Sequence, residues 1–354
     1  MGPPTGGMSE APPFEPPGGT SLPERVPFRP VLELLPPAGW VIPPPPAHRP
    51  SYARAVFLFL CTLFTTTTLG PVMLLMSRTD IVTDLAPDGF ALLGLRLIRR
   101  VWTDPALLGL GATFSLTALT ILLAHELGHY VACRRYGLAC TLPYFLPVPM
   151  GFGTFGAFIR IYTPIRSKRE LFDVGVAGPI AGFVALLPFL LFGVAHSHPV
   201  RLGGLPPMDN MVLFAPGRSL AIDLAIRLFH GPVAPDTYLD LHPMALGAWL
   251  GLFATALNLL PLGQLDGGHI LYAALGRWQR RLAIHLWIGL AALGFLWSGW
   301  WLWCGIVFLL GLFHPPVRDE RTPLDAKRRA LALCALVIFV LAFMPTPLDV
   351  LLLP

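Results

Sequence analysis

Residues 122–137 read LLAHELGHYVACRRYG, and they place three ionisable side chains inside an apolar run that covers about residues 106–133. The three are His125, Glu126 and His129. An ionisable residue within a membrane span costs at least ~2.5 kcal/mol on insertion scales, so such residues usually face a protein interior and serve a site. The stretch therefore predicts a membrane-spanning helix that carries a functional centre.

The composition also indicates a membrane protein. Hydrophobic residues make up 54% of the 354 and charged residues only 13%, and several runs exceed the ~18 apolar residues that signal a bilayer-spanning helix. The net charge of +5 comes without a basic stripe interleaved with polar or aromatic residues, so it does not predict nucleic-acid binding. Excess Lys and Arg in a membrane protein more often mark cytoplasmic loops.

The apolar segments predict an all-α polytopic membrane protein with about six to seven transmembrane helices. The fifth and sixth segments are short and separated only by WSGW, so they form either a tight hairpin or one long tilted helix. The candidate spans are about 55–76, 106–133, 172–195, 244–262, 282–296, 299–313 and 330–344.

The chain divides into a tail and a membrane domain. Proline and glycine dominate residues 1–50, which hold too few large apolar residues to build a core and are expected to be a disordered tail. The transmembrane domain is predicted over residues 51–345, and a short C-terminal tail over residues 346–354. No charged segment followed by a short apolar stretch and a cleavage site opens the chain, so the first span is expected to direct insertion.

Basic residues predict the orientation. With the N-terminus inside, the cytoplasmic segments hold 18 Lys and Arg and the external segments hold seven. The positive-inside rule then places the N-terminus, and the end of the second span just beyond His129, in the cytoplasm. Transit peptides are poor in acidic residues, so the glutamates of the tail favour a bacterial plasma membrane; they are Glu10, Glu15, Glu24 and Glu33.

The spacing of the two histidines indicates a metal site. His125 and His129 are four positions apart, hence on one helical face, which is the spacing at which two imidazoles bind one Zn²⁺. Glu126 is then placed to take a proton from a water whose pKa the metal lowers towards ~7. The alternative is a pair of core histidines satisfied by neighbours at a helix interface.

A third ligand is expected far downstream, in ALNLLPLGQLDGGHI at residues 256–270. Asp266 is the candidate, because Pro261 must interrupt or kink the preceding helix and let a carboxylate turn into the bundle. The alternative is a plain turn that ends a span. His269 is a rival ligand, although its place after the glycine pair Gly267 and Gly268 favours a position in the loop or behind the ligands.

Together the two motifs resemble the site-2 protease family of zinc metalloproteases, which cleave transmembrane substrates. The family pairs H-E-x-x-H with N-x-x-P-x-x-x-L-D-G, and HELGH and NLLPLGQLDG match at every specified position over a motif core of about residues 106–270. The resemblance implies one Zn²⁺ per chain, held by His125, His129 and Asp266. It also implies that Glu126 is the general base and acid, and that Asn258 lies near the substrate carbonyl. A PDZ domain, which many relatives insert between the motifs, is not evident.

Residues 141–165, TLPYFLPVPMGFGTFGAFIRIYTPI, predict a small membrane-associated β-hairpin or loop. In the resembled family a strand here is thought to pair with an unwound substrate, and adding a substrate to a sheet edge would hold it extended. The alternative is an ordinary amphipathic re-entrant loop.

Two further patterns lie between the motifs. Gly178 and Gly182 have G-x-x-x-G spacing, which predicts close helix packing. Residues 219–230, SLAIDLAIRLFH, predict an amphipathic helix on the outer membrane surface. A gate or substrate filter is the second interpretation of that helix.

The sequence thus predicts an intramembrane zinc endopeptidase that lies in the lipid bilayer and acts on membrane-protein substrates. The leading alternative is a zinc or proton transporter, because His, Glu and Asp inside spans also build ion pathways. A catalytically inactive membrane scaffold is the third interpretation. Transport would predict more intramembrane polar residues along a continuous path, and outside these motifs the spans offer few.

Overall fold

The computed structural model describes residue 2 and residues 51–76, 90–201, 211–234 and 237–353, so nearly all of the predicted tail at 1–50 lies outside the described residues. The described chain is mostly helical. Its helices are α1 (Tyr52–Met76), α2 (Phe90–Thr103), α3 (Pro105–Arg135), α4 (Lys168–Ala195), α5 (Leu220–His230), α6 (Pro243–Asn258), α7 (Asp266–Leu275), α8 (Trp278–Leu293), α9 (Gly299–Leu310) and α10 (Ala326–Ala342).

A helix is present at each of the seven predicted spans, with ends that differ by a few residues. Within the described ranges, three helical segments are long and apolar enough to cross a membrane: Tyr52–Val72, Pro105–Arg135 and Lys168–Ala195. The chain is an integral membrane protein. The fifth and sixth predicted spans form the separate helices α8 and α9, so of the two alternatives the single long tilted helix is wrong.

Local sequence explains where the two longest helices begin. Asp104 caps α3, because its side chain accepts a hydrogen bond from the backbone N–H of Ala106 at 2.9 Å, and Pro105 occupies the first turn. Ser167 caps α4 by accepting from the N–H of Glu170 at 3.3 Å. Glu170 in turn accepts from the N–H of Arg166 at 2.9 Å. These caps satisfy N–H groups that a helix start leaves without intrahelical partners.

The helices α3, α4 and α6 form the centre of the bundle, and glycines set their separation. A β-carbon at Gly128 of α3 would lie 2.4 Å from the carbonyl oxygen of Ala177 in α4. A β-carbon at Gly247 or Gly251 of α6 would lie 2.8 Å from side-chain carbons of α3. Lipid tails are as apolar as leucine, so close packing rather than exclusion of water holds such helices together. This packing brings the end of α6 beside the middle of α3.

Within the described residues, six short strands form three antiparallel two-stranded sheets. β1 pairs with β2, which confirms the hairpin expected within residues 141–165. Thr65 of α1 donates to the carbonyl of Gly153 at the hairpin turn at 2.7 Å, so the hairpin is attached to the first helix. The strands are β1 (Tyr144–Pro147), β2 (Thr154–Phe158), β3 (His198–Arg201), β4 (Met211–Pro216), β5 (Thr237–Asp240) and β6 (Leu348–Leu353).

The other two sheets were not predicted, because the sequence indicated an all-α fold with a single hairpin. β3 pairs with β5, and β4 pairs with β6, which lies inside the predicted C-terminal tail at 346–354. The sequences of β4 and β6, MVLFAP and LDVLLL, are nearly continuous apolar runs. Periodicity alone cannot distinguish such short runs from helix.

The predicted amphipathic helix is α5. Its buried residues are Ala221, Ile222, Ala225 and Ile226. The leucines at 220, 224 and 228 are more than half exposed. The leucine face therefore points away from the protein core, as an interfacial helix requires.

Candidate metal centre

Two histidines of α3 face the interior of the bundle. His125 and His129 lie one turn apart and are 5% and 7% exposed. Their rings contact α4 at its glycines: a β-carbon at Gly178 would lie 2.1 Å from Nε2 of His129, and one at Gly182 would lie 3.0 Å from Cβ of His125. The G-x-x-x-G pattern is thus a packing motif, as predicted, and the neighbours that it accommodates are the two histidines.

Asp266 completes a triangle of donor atoms with them. Its Oδ2 lies 3.2 Å from Nε2 of His125 and 3.2 Å from Nε2 of His129. The two Nε2 atoms are 3.1 Å apart. Among the described residues, this is the one group of three or more His, Cys, Asp or Glu side chains arranged to hold a metal ion.

The chemistry of the triangle fits a zinc ion. Nδ1 of His129 lies 2.7 Å from the carbonyl oxygen of Val174, which can only accept, so Nδ1 carries the hydrogen and Nε2 presents a lone pair. Lone pairs of nitrogen and of a carboxylate thus converge on one point. Tetrahedral Zn²⁺ with ligands at about 2.0–2.1 Å has ligand atoms about 3.3–3.4 Å apart, which is close to the sides of this triangle.

A break in the chain delivers Asp266. α6 ends at Asn258, Pro261 lies in the irregular segment that follows, and α7 begins at Asp266. The segment folds back closely, because a β-carbon at Gly267 would lie 2.0 Å from the carbonyl oxygen of Leu259 and one at Gly268 would lie 2.4 Å from that of Gly263. The glycine pair is therefore required by the close approach of backbone to backbone.

The two predicted catalytic side chains lie beside this triangle. Glu126 is 5% exposed and directly follows His125 on α3. Nδ2 of Asn258 lies 3.3 Å from Nε2 of His125. Both groups therefore lie beside the triangle, one from the α3 side and one from the end of α6.

His269, the rival ligand, lies outside the triangle. Its Nδ1 is 2.9 Å from Nε2 of His314 in the segment between α9 and α10. The structure therefore brings Asp266, and not His269, together with His125 and His129.

Sequence reasoning did not identify three residues around the triangle. Val174 contributes only a backbone carbonyl, for which no side-chain pattern exists. Gly175 packs against His269, with a β-carbon position 2.9 Å from its Cβ. His314 is a lone histidine in a segment without a motif. The one sequence signal that could have identified it is a histidine followed by two prolines directly after an apolar run.

The family comparison agrees with this geometry. The model of peptidase family M50 matches residues 113–293, which include both motifs and the whole triangle. This chain belongs to peptidase family M50. The resemblance to the site-2 protease family is thereby confirmed, because family M50 is the site-2 protease family.

Similar proteins carry names that agree with the family. One from Oryza sativa subsp. indica, described as "Probable zinc metalloprotease EGY2, chloroplastic", is 31% identical over 251 residues, which are 67% of this chain and 43% of the relative. "Probable zinc metalloprotease EGY1, chloroplastic" of Oryza sativa subsp. japonica is 28% identical over 85% of this chain and 52% of its own length. The chain thus spans about half the length of these relatives. No solved structure matches the M50 chain.

Proposed function

We propose that this M50 chain is a zinc-dependent intramembrane endopeptidase that hydrolyses peptide bonds in or near the transmembrane segments of membrane proteins. The observation that carries the proposal is the triangle of His125, His129 and Asp266, with sides of 3.1–3.2 Å, buried beside α4. The zinc metalloprotease names of the similar proteins and the M50 membership support it.

The three side chains of the triangle are the proposed zinc ligands. When bound, Zn²⁺ supplies Lewis acidity that polarises the scissile carbonyl and lowers the pKa of the attacking water. His129 is oriented for this role by the carbonyl of Val174, and such partners of a ligand's second nitrogen fix its tautomer and ring orientation.

Glu126 is the proposed general base and acid. It follows the first ligand directly, and burial shields it from bulk water. It accepts the proton of the attacking water and returns it to the leaving amine. Asn258 has amide hydrogens beside the triangle, and these can donate to the oxygen of the scissile carbonyl as negative charge develops there.

The hairpin is the proposed substrate platform. In the described part of the chain the sheet has only β1 and β2, and the hairpin exposes large apolar side chains, including Met150 at 64% and Phe155 at 72%. β2 packs against α3, the helix that carries Glu126, so a substrate strand beside β2 would lie near the base. Single-span proteins, whose spans must unwind before hydrolysis, are the proposed substrate class, bound by β-augmentation.

The proposed topology has six to seven spans with the N-terminus and the metal-site end in the cytoplasm. The 18 to seven distribution of Lys and Arg supports this orientation. A bacterial plasma membrane is the proposed location. The word "chloroplastic" in the names of the similar proteins describes those proteins.

The decisive experiment compares wild-type and Glu126→Gln protein, each with verified zinc content, on a panel of single-span substrates in lipid. The glutamine is nearly isosteric and not a metal ligand, so zinc should be retained while hydrolysis falls by several orders of magnitude. The matched control is Asp223→Asn, the same change of a carboxylate to an amide on α5, where Asp223 pairs with Arg218 away from the triangle. This control should cleave like the wild type.

Two outcomes would overturn the proposal. Equal cleavage by wild type and Glu126→Gln would remove the assignment of Glu126 as the base. Zinc flux through wild-type proteoliposomes, with no cleavage across the panel, would favour the transporter.

A further inference from the structure

A segment beyond the matched family region packs against the turn that precedes Asp266. The M50 match ends at residue 293, and the segment that joins α9 to α10 begins at Gly311. The backbone N–H of Gly263 donates to the carbonyl of Leu312 at 3.1 Å. A β-carbon at Gly263 would lie 2.3 Å from the carbonyl oxygen of Gly311. The turn that delivers Asp266 is therefore packed directly against this segment.

The same segment contacts the first turn of α7. Asp266 opens α7 without a side-chain cap, since no cap hydrogen bond is made at Leu265. The position of the Asp266 carboxylate therefore depends on the contacts that hold the rest of α7 in place. His269 is three positions along, on the same face of the helix as Asp266, and its Nδ1 lies 2.9 Å from Nε2 of His314.

The direction of this hydrogen bond follows from its neighbours. Nδ1 of His314 lies 2.6 Å from the carbonyl oxygen of Pro315, which can only accept, so this nitrogen carries the hydrogen. Nε2 of His314 is then an acceptor, and Nδ1 of His269 is the donor. With both imidazoles neutral, His269 donates a hydrogen bond to His314, and His314 donates one to the backbone carbonyl of Pro315.

His314 is itself held on several sides. It is 5% exposed, and its ring stacks on Tyr272 with centroids 4.4 Å apart. Its backbone N–H donates to the side-chain oxygen of Gln279 at 3.4 Å. Tyr272 is fixed in turn by its hydrogen bond to Glu320 at 2.6 Å. The acceptor that His314 offers to His269 therefore has a fixed position.

We propose that His314 is a positioning residue for the metal site: through its hydrogen bond to His269 it fixes α7, and so sets the Asp266 carboxylate against His125 and His129. The inference rests on the proposed function, because it assumes that the triangle binds zinc. It assigns a role in the site to a residue outside the matched family region.

The test measures zinc affinity and not activity alone. His314→Phe keeps a ring to stack on Tyr272 but removes the acceptor, whereas His314→Gln can place a carbonyl oxygen near the former Nε2. Zinc dissociation constants are measured for the full chain by competition with a chromophoric chelator, and the absorption spectrum of the Co²⁺-loaded protein reports ligand geometry. His285→Phe is the matched control, because His285 is exposed and its Nδ1 lies 2.8 Å from the carbonyl oxygen of Arg281 in its own helix.

Loss of a group that directly supports a metal ligand typically lowers metal affinity roughly 10- to 100-fold. Because His314 acts on Asp266 through His269, we expect a loss near the lower end of that range, about 10-fold. We expect that loss and a changed Co²⁺ spectrum for His314→Phe, recovery for His314→Gln, and wild-type behaviour for His285→Phe. Wild-type affinity in His314→Phe would overturn the positioning role. Equal losses in the phenylalanine and glutamine variants would assign the effect to packing and also overturn it. A wild-type protein that binds no zinc would instead overturn the proposed function.

Discussion

The imidazole of His129 lies directly against Gly178. A β-carbon at Gly178 would come within 2.1 Å of Nε2 of His129, and the ring cannot simply turn away, because its Nδ1 is bonded to the Val174 carbonyl at 2.7 Å. A residue without a side chain therefore provides the space that a proposed zinc ligand occupies.

Gly178→Ala should accordingly reduce zinc binding. The added methyl group must displace the His129 ring or separate α3 from α4, and either change opens the triangle. Zinc per chain is measured by elemental analysis of the purified protein. Gly109→Ala is the matched control in α3, because a β-carbon there meets nothing within 4 Å, and it should bind zinc fully. Full zinc content in Gly178→Ala would contradict the close contact between His129 and Gly178.

Asp266→Ala should cost more zinc than His269→Ala. Two imidazoles without the carboxylate form a weak and open site, whereas loss of His269 leaves all three donor atoms in place. At a zinc concentration that saturates the wild type, the Asp266→Ala protein should remain largely without zinc. The His269→Ala protein should bind more zinc at that concentration and reach full occupancy as the zinc concentration is raised. The reverse order would transfer the ligand role to His269.

Arg328 should stabilise the end of the bundle where α3 ends and α4 and α10 begin. Its guanidinium binds both carboxylate oxygens of Asp173, at 2.8 and 2.6 Å, and lies 3.3 Å from the hydroxyl of Tyr136, so it connects α10 to α3 and α4. Hydrogen bonds to charged groups contribute about 1.5–3 kcal/mol, so Arg328→Gln should lower the Tm in detergent by several degrees. Arg218→Gln breaks the more exposed pair with Asp223 and should change the Tm little. Equal shifts would contradict the prediction.

Cysteine labelling tests the orientation. Lys168 and Lys327 must lie on the same side of the membrane, because the guanidinium of Arg169 contacts the carbonyl of Pro323 at 3.3 Å. In a variant without the native cysteines, Lys168→Cys and Lys327→Cys should react with a cytoplasmic reagent and Arg201→Cys with an external one. Cytoplasmic labelling of position 201 alone would reverse the proposed topology.

The sequence predicted the parts of this molecule that side-chain chemistry determines. Long apolar runs located the helices, since lipid requires backbone groups to be satisfied within a segment. The i, i+4 spacing put His125 and His129 on one face, and Pro261 predicted the break before Asp266. The side-chain oxygen of Asp266 does lie 3.2 Å from both imidazoles.

The remaining features depend on contacts that the sequence does not display. The carbonyl of Val174 orients His129, yet every residue has a carbonyl. β4 and β6 pair across more than 130 positions of sequence, and their apolar runs carry no alternation to indicate strands. His314 reaches His269 only because α9 and α10 are packed as they are, so a histidine outside any motif could not be assigned a place.

The triangle joins residues that the chain makes at different times. His125 and Asp266 are 141 positions apart in sequence, and α4, α5 and α6 are all formed between them. Chains emerge from the ribosome with their N-terminal part first, so a half-made protein would carry both imidazoles while still lacking the carboxylate. It would have no complete metal centre. As the proposed endopeptidase, the chain could act on neighbouring membrane proteins only after the turn at Pro261 has been synthesised and folded.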